Sequence, residues 1–395
     1  MRLATFTHYA ELYGANRSLL EVLLELRTTG AIEPIVIVPR EGPLTARLTK
    51  EGIPFRTAPF EPWMSERYYG GRLHHHIAQW IRHTRAARKR RAASSAALEA
   101  LLPELREWKP DLVHSNSLAV SIGWRAAGRL GVPHVWHARE FPEQHYGLHY
   151  DDGRIRYGKA LRTSARMVAI SEALKEDLLR FGVAGDKVDV VANGVFRAKT
   201  YESLAHRERR PDPAVFTFVQ MGLLHPSKGQ SETVRALALV REQRPEARLI
   251  IAGTGRDRDL RAAIIRTGQQ DAVELPGYVE DPISLMLHCD AFVSASRWEA
   301  FGRSMVEAMA CRLPVVGHAS GGTTEILEEG VTGLLYKRDE GDLSTAMLKL
   351  MEDRNAARAM GEKGHVRARE RYTVEASAQA FERSLEQAMQ SAKAT

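Results

Sequence analysis

The chain has 395 residues, 44% hydrophobic and 27% charged, which suits a folded protein of two ordinary-sized domains and excludes a disordered or fibrous chain. No run of eighteen apolar residues occurs, so no membrane span is expected. The opening MRLATFTHYAELYG lacks the basic head and apolar core of a secretory signal, so the expected location is the cytosol. The net charge of +7 leaves nucleic acid, an anionic membrane or a phosphorylated substrate as partners, while Cys289 and Cys311 make neither a disulfide framework nor a zinc pattern.

In chain order, RLATF (2–6) reads as a strand and ANRSLLEVLLELRTTG as a helix, with Leu19, Val22, Leu23 and Leu26 at helical spacing and Gly30 at its end. EPIVIVP (33–39) is a second strand and PLTARLTKEG a second helix. From Arg67 through Leu98 there is no acidic residue. There Leu73, Ile77, Trp80 and Ile81 share one helical face, followed by Arg82, Arg85, Arg88, Lys89, Arg90 and Arg91. Further apolar runs at 111–117, 134–138, 166–171 and 188–193 suit a parallel sheet covered on both faces. The charged, proline-containing stretch 198–213 reads as a linker. The alternation then restarts, with strands at VFTFVQMG, ARLIIAGTG, VELPG, DAFVSAS and LPVVGH and helices between the first three. The expected division is a Rossmann-like first domain over 1–197 and a second over 214–373. From about Leu343 the chain is helical, with breaks expected at Gly364 and at Tyr372–Thr373. Periodicity leaves open whether the last helix, about 374–395, packs on the second domain or crosses back to the first.

Open α/β sheets bind ligands at the carboxyl ends of their strands, so the loops there are the candidates. Gly14 precedes a helix start, where backbone can approach an anion, though Asn16 as a plain cap explains the same residues. His137, Arg139 and Glu140 follow a strand, where a histidine can donate a hydrogen bond or simply be solvated. In MGLLHPSKGQ, Gly222 leads to Lys228 beside a helix start, a diphosphate site without the spacing of a Walker loop. Asp257 and Asp259 form a D-x-D that fits a helix N-terminus better than a metal. In SRWEAFGRSMVEAMACRLPVV, Glu299 lies in a loop after a strand and Glu307 lies two turns into the next helix. Phe301, Gly302 and Arg303 stand between them, where helix-start amides can hold an anion. Carboxylates there suit the vicinal hydroxyls of a sugar or ribose; a helix-start acid plus a surface acid is the plainer alternative.

The stretch EAFGRSMVEAMACRLPVV followed by GGTTEILEEGVTGLL resembles the E-x7-E region of glycosyltransferase family four, retaining enzymes of the GT-B fold. YGANRSLLEVLLEL, VWHAREF, SEALKEDLLRFGV and MGLLHPSKG resemble further family segments in the family's order, across essentially the whole chain. The resemblance implies two Rossmann-like parallel-sheet domains facing across a cleft. It implies that Glu299 holds donor-sugar hydroxyls, Glu307 the nucleotide ribose, and Phe301, Gly302 and Arg303 the donor through their amides. Lys228 would neutralise the departing diphosphate, Gly14 would approach it from the other domain, and His137 would lie near the reacting sugar. Gly222 falls in the implied phosphate loop, and Gly321 and Gly322 form a tight loop nearby. Leu223 stands where the family often has an arginine, Phe196 where it has an acid, and Arg312 where it has a glycine.

The implied reaction moves a sugar from a UDP- or GDP-linked donor to a glycan or lipid-linked acceptor in bacterial cell-surface polysaccharide, lipopolysaccharide or glycolipid synthesis. It needs no metal and no cofactor beyond the nucleotide sugar. The basic segment 72–91 suits contact with an anionic membrane, at the inner face of the cytoplasmic membrane, against the alternative of a helix packed on its own domain. Nucleic acid is not expected, since that segment has one aromatic residue, Trp80, and no recognition motif. A nucleotide-sugar epimerase of similar architecture and a non-catalytic nucleotide-sugar binder are the alternatives; Leu223 speaks for the second.

Overall fold

The structure, a computed structural model, describes residues 1–66 and 73–393, without the side chains of 73–75 and 393. The chain forms two units, residues 1–194 with 374–395, and residues 195–373. The strands of the first are β1 (Arg2–Phe6), β2 (Glu33–Val38), β3 (Phe55–Thr57), β4 (Met64–Glu66), β5 (Leu112–Ser115), β6 (His134–Ala138), β7 (Leu148–Tyr150), β8 (Arg166–Ala169) and β9 (Val188–Val190). Seven of them make a parallel sheet in the order β3-β2-β1-β5-β6-β8-β9, and β4 pairs antiparallel with β7.

Alternation along the strands sends side chains to two separate cores. Leu3, Val36 and Val38 meet Leu19, Leu23 and Leu26 of the helix Gly14–Thr28, together with Phe381 and Leu385 of the last helix, Val374–Lys393. Ala4, Phe6, Ile35 and Ile37 meet Leu98, Leu101 and Leu105 on the other side. Both faces are covered, which is why these strands read as continuous apolar runs. Phe381 and Leu385 give the last helix its place in the first unit, the point that periodicity left open.

Leu98, Leu101 and Leu105 belong to a 36-residue helix, Leu73–Trp108, which spans most of the basic segment. Its later turns carry the leucines that pack on the sheet. Ile77 is 64% exposed and Trp80 56%, and Ile81 is exposed as well, so these three side chains are not covered by the described residues of their own unit. Arg72 and the Leu73 side chain lie outside the described residues.

The second unit has strands β10 (Phe216–Met221), β11 (Ala247–Ala252), β12 (Val273–Gly277), β13 (Ala291–Ser294), β14 (Val315–His318) and β15 (Gly333–Tyr336). They form one parallel sheet in the order β12-β11-β10-β13-β14-β15. The order reverses beside β1 in the first sheet and beside β10 in the second. Such a reversal opens a crevice at the strands' carboxyl ends.

Two expectations need correction. Residues 198–205, read as linker, form the helix Ala198–Ala205, because Tyr201 and Leu204, three apart, bury one face in the second unit. Gly364 does not break a helix. The break falls at Asp353, whose carboxylate caps Asn355 and Ala356, and the next helix runs unbroken over Arg354–Arg371. No helix among the described residues is long and apolar enough to cross a membrane.

Candidate active site

The loops after β10, β13 and β14, with the helix that follows β13, carry nine of the eleven residues expected at the site, all within the second unit. After β10, Gly222 and Leu223 lead to a short turn, Pro226–Lys228. The Gln220 amide donates to the Lys228 carbonyl at 2.8 Å, and His225 Nδ1 accepts from the Ser227 N–H, so the turn is fixed from both ends. Lys228 Nζ then lies 2.7 Å from Glu299 Oε2, with both side chains less than one fifth exposed. At this depth a lone charge would be costly, so each group stabilises the other. The pair brings together the ammonium expected on a diphosphate and the carboxylate expected on sugar hydroxyls.

The loop after β13 is held by its neighbours' backbones. The Gly322 N–H donates to the Glu299 carbonyl at 2.7 Å. Gly321 has φ +56, and a Cβ there would press into that same carbonyl; a Cβ on Gly322 would stand 2.7 Å from the Ala300 carbonyl. The glycine pair therefore permits a close approach that sets the height of Glu299. Trp298, just before it, takes the left-handed region at φ +60, which is costly for a bulky residue. Its N–H donates to Ser320 Oγ at 3.1 Å, and that hydroxyl lies 2.8 Å from His318 Nδ1. These anchors, His318 and Ser320, gave no sequence signal, since nothing in spacing ties residue 320 to residue 298.

Gly302, at φ +98, turns the chain into the helix Arg303–Ala310. Phe301 is buried with its ring edge-on to Tyr372 at 5.4 Å. Arg303 does more than offer an amide. Its guanidinium donates to Glu307 Oε1 at 3.1 Å and to the Val195 carbonyl at 2.9 Å. Glu307 is buried, so it is no surface acid, and Arg303 fixes its direction. Leu223 is 39% exposed and its carbonyl accepts from the Gln230 amide. Asp257 sits at a helix N-cap and pairs with Arg261 at 2.5 Å, consistent with a helix-end role.

Gly14 and His137 lie in the first unit. Gly14 opens its helix, and a Cβ there would meet nothing within 4 Å. His137 was expected in a loop but is the fourth residue of β6, fully inside, with its ring 5.3 Å from Phe381 and 5.6 Å from His114. Burial, then the charges of Arg139 and His114, hold its pKa well below the usual histidine range. The ring is neutral. Arg139 approaches Nδ1 at 3.3 Å and can only donate, so the proton belongs on Nε2, a buried N–H without a protein partner among the described residues. Arg139 itself is buried and donates to Asn116 Oδ1 at 2.8 Å and to Asn193. Glu140 accepts from the Ser117 hydroxyl and the Leu118 N–H. Asn116, Ser117 and Asn193 were not anticipated; their position after β5 and β9 was the available signal.

Two family models match the chain, Glycosyl transferases group 1 over residues 204–367 and Glycosyltransferase Family 4 over residues 13–198. A D-inositol 3-phosphate glycosyltransferase of Stackebrandtia nassauensis is 32% identical over 287 residues, 65% of this chain and 64% of that protein. A glycogen synthase of Mycobacterium tuberculosis is 30% identical over 274 residues, 64% of this chain and 63% of that protein. The solved structure of Anabaena Alr3699/HepE in complex with UDP and glucose matches with a TM-score of 0.78 at 22% identity, over 98% of this chain and 99% of that one. The two units thus carry the GT-B fold, and the chain belongs to the family-four glycosyltransferases. It spans about half to just under two thirds of the length of these two curated relatives and two others that match it similarly.

Proposed function

We propose that the chain transfers a sugar from a nucleotide-diphosphate sugar to an acceptor hydroxyl with retention of configuration, in the synthesis of a cell-surface polysaccharide, lipopolysaccharide or glycolipid. The observation that carries this reading is the Lys228–Glu299 pair, set by loops at the carboxyl ends of β10 and β13 beside the helix start at Gly302. On donor binding Lys228 turns from Glu299 to the diphosphate, and Glu299 is freed to accept from sugar hydroxyls. As the anomeric bond breaks, negative charge grows on the diphosphate, where Lys228 and the amides of 301–303 meet it. Glu307, aimed by Arg303, accepts from the ribose hydroxyls. His137, neutral with its proton on Nε2, acts as a hydrogen-bond donor to the sugar rather than as an acid. Gly14 admits the diphosphate to its helix start. The leaving phosphate takes the acceptor proton, so no residue serves as general base. The Anabaena protein's UDP and glucose make UDP-linked hexoses the first donors to try, ahead of GDP-linked ones.

Melting the protein with a panel of nucleotide sugars tests donor binding, since a ligand at a hundred times its Kd adds about 2.7 kcal/mol of stability. One UDP- or GDP-sugar should raise the midpoint and release its nucleoside diphosphate only when acceptor is present. Release or epimerisation without acceptor would favour the epimerase reading, and no stabilisation by any donor would contradict both.

The exposed Ile77, Trp80 and Ile81, with exposed Arg82, Arg85, Arg88 and Lys89 in the next turns, support contact with an anionic membrane. Arg90 and Arg91 are left out of this face by their pairs with Asp151 and Asp152. The protein should sediment with anionic vesicles at low salt and lose most binding on Trp80→Asp; failure to sediment sinks the idea.

A further inference from the structure

The first unit holds a cavity of about 460 Å³ whose walls include none of the residues assigned to donor or reacting sugar. This volume falls within the roughly 300–1,000 Å³ of small-molecule sites. It lies between the long helix Leu73–Trp108, the start of the helix Ile122–Leu130, the loop at Trp63, the turn at Asp151 and Asp152 and the helix Gly153–Arg162.

Its aromatic part is built rather than incidental. Trp63 and Trp124 each stack on the buried Trp136, with centroids at 5.7 and 6.3 Å and planes within 16° and 17° of parallel. Both indole N–H groups are committed, Trp63 to the Leu118 carbonyl at 2.7 Å and Trp124 to Thr163 Oγ1 at 3.2 Å. The rings are therefore fixed platforms, low in entropy to lose when a sugar ring lies on them.

The cations divide unequally. Arg90 is held by both oxygens of Asp151, at 2.9 and 2.7 Å, Arg91 by Asp152, and Arg156 lies 3.9 Å from the same Asp152 carboxylate. Arg125 has only the Ser95 hydroxyl, at 2.9 Å, and no carboxylate within ion-pair distance among the described residues. The nearby carboxylate, Glu99, is taken by both terminal nitrogens of Arg129, at 2.6 and 3.2 Å. Burial, then the like charges of Arg129 and Arg91 against the pull of Glu99, hold Arg125 below the ordinary guanidinium range. An anion placed on Arg125 would relieve that cost, and guanidinium suits carboxylate and phosphate geometry.

We propose that this cavity is a subsite for a sugar bearing a carboxylate or phosphate, its ring on Trp63 and Trp124 and its anionic group on Arg125. The binding stands by itself; that the occupant is part of the acceptor glycan rests on the transferase reading.

Calorimetric titration of the full chain with glucuronate, glucose 6-phosphate, glucose and inorganic phosphate tests this. At least one of the two anionic sugars should bind, tenfold or more tighter than glucose or phosphate. Arg125→Ala should weaken that binding by about ten- to a hundredfold, the worth of hydrogen bonds to a charged group. Trp124→Ala should weaken binding of the sugars but not of phosphate, and Arg125→Lys, with an unchanged melting point, should fall between wild type and Arg125→Ala. No anionic sugar binding, equal affinity in wild type, Arg125→Ala and Trp124→Ala, or phosphate binding as tightly as the sugars would overturn the proposal. Glu299→Ala should bind the anionic sugar as wild type does, so a failure of the transfer reading would leave this result intact.

Discussion

Glu140 is buried beside Arg139, and burial pushes its pKa up to about 7, against the hydrogen bonds from Ser117 and Leu118 and the charge of Arg139. In the unfolded chain it titrates near 4.5. The folded state therefore binds the extra proton between these values, and the stability this group gives is complete below pH 4.5 and lost as the pH rises through 7. Glu140→Gln keeps an oxygen for Ser117 and Leu118 but cannot ionise. Its stability relative to wild type should rise between pH 5 and pH 8 by up to about 3 kcal/mol, read by urea unfolding of both proteins. Equal slopes would remove Glu140 as the source. His8 and His134, both pulled down to about 3 chiefly by burial, act in the opposite sense, losing stability as pH falls from 6.5 toward 3, so the difference between the two proteins is the clean reading. Sequence marked His137, Arg139 and Glu140 as polar residues after a strand. It could not reveal their burial, because Asn116, Ser117 and Asn193, which satisfy Arg139 and Glu140, lie in the loops after other strands.

Among the elements, the segment from β13 to β14 was legible to within two residues, since an apolar strand, a glycine turn and an amphipathic helix each leave a clear pattern. What fixes its loop was not legible as geometry. The Gly321–Gly322 pair was noticed only through family resemblance, whereas its role rests on a carbonyl twenty-two residues earlier in the chain. Gly321→Ala adds a Cβ against the Glu299 carbonyl at a left-handed φ, so the loop must shift. We expect about 1–3 kcal/mol of lost stability and a tenfold or greater loss of donor affinity, measured by unfolding and titration. Unchanged donor affinity would detach Glu299 from the site. Strands β3, β4, β7 and β15 escaped notice because three or four residues carry little period; β9, equally short, was legible only inside the longer apolar run 188–193. Gly364 misled for a related reason: a glycine in a helix signals either a break or a close approach. Here neighbouring Gly361 packs so near the Arg312 carbonyl that a Cβ would collide with it.

At the scale of the molecule, two apolar-strand alternations with a break near residue 200 announced two parallel sheets, and both are present. The placing of the last helix in the first unit lay beyond periodicity, since an amphipathic helix fits any apolar face. We propose that Lys228 and Glu299, paired in the free protein, part to hold the diphosphate and the sugar of one donor. Initial rates of sugar transfer by wild type, Lys228→Ala and Glu299→Ala, with melting curves confirming each fold, test it most directly. Each substitution should cost about a hundredfold or more in rate, as loss of a group that meets developing charge or orients the sugar does. Near-normal transfer by both variants would contradict it.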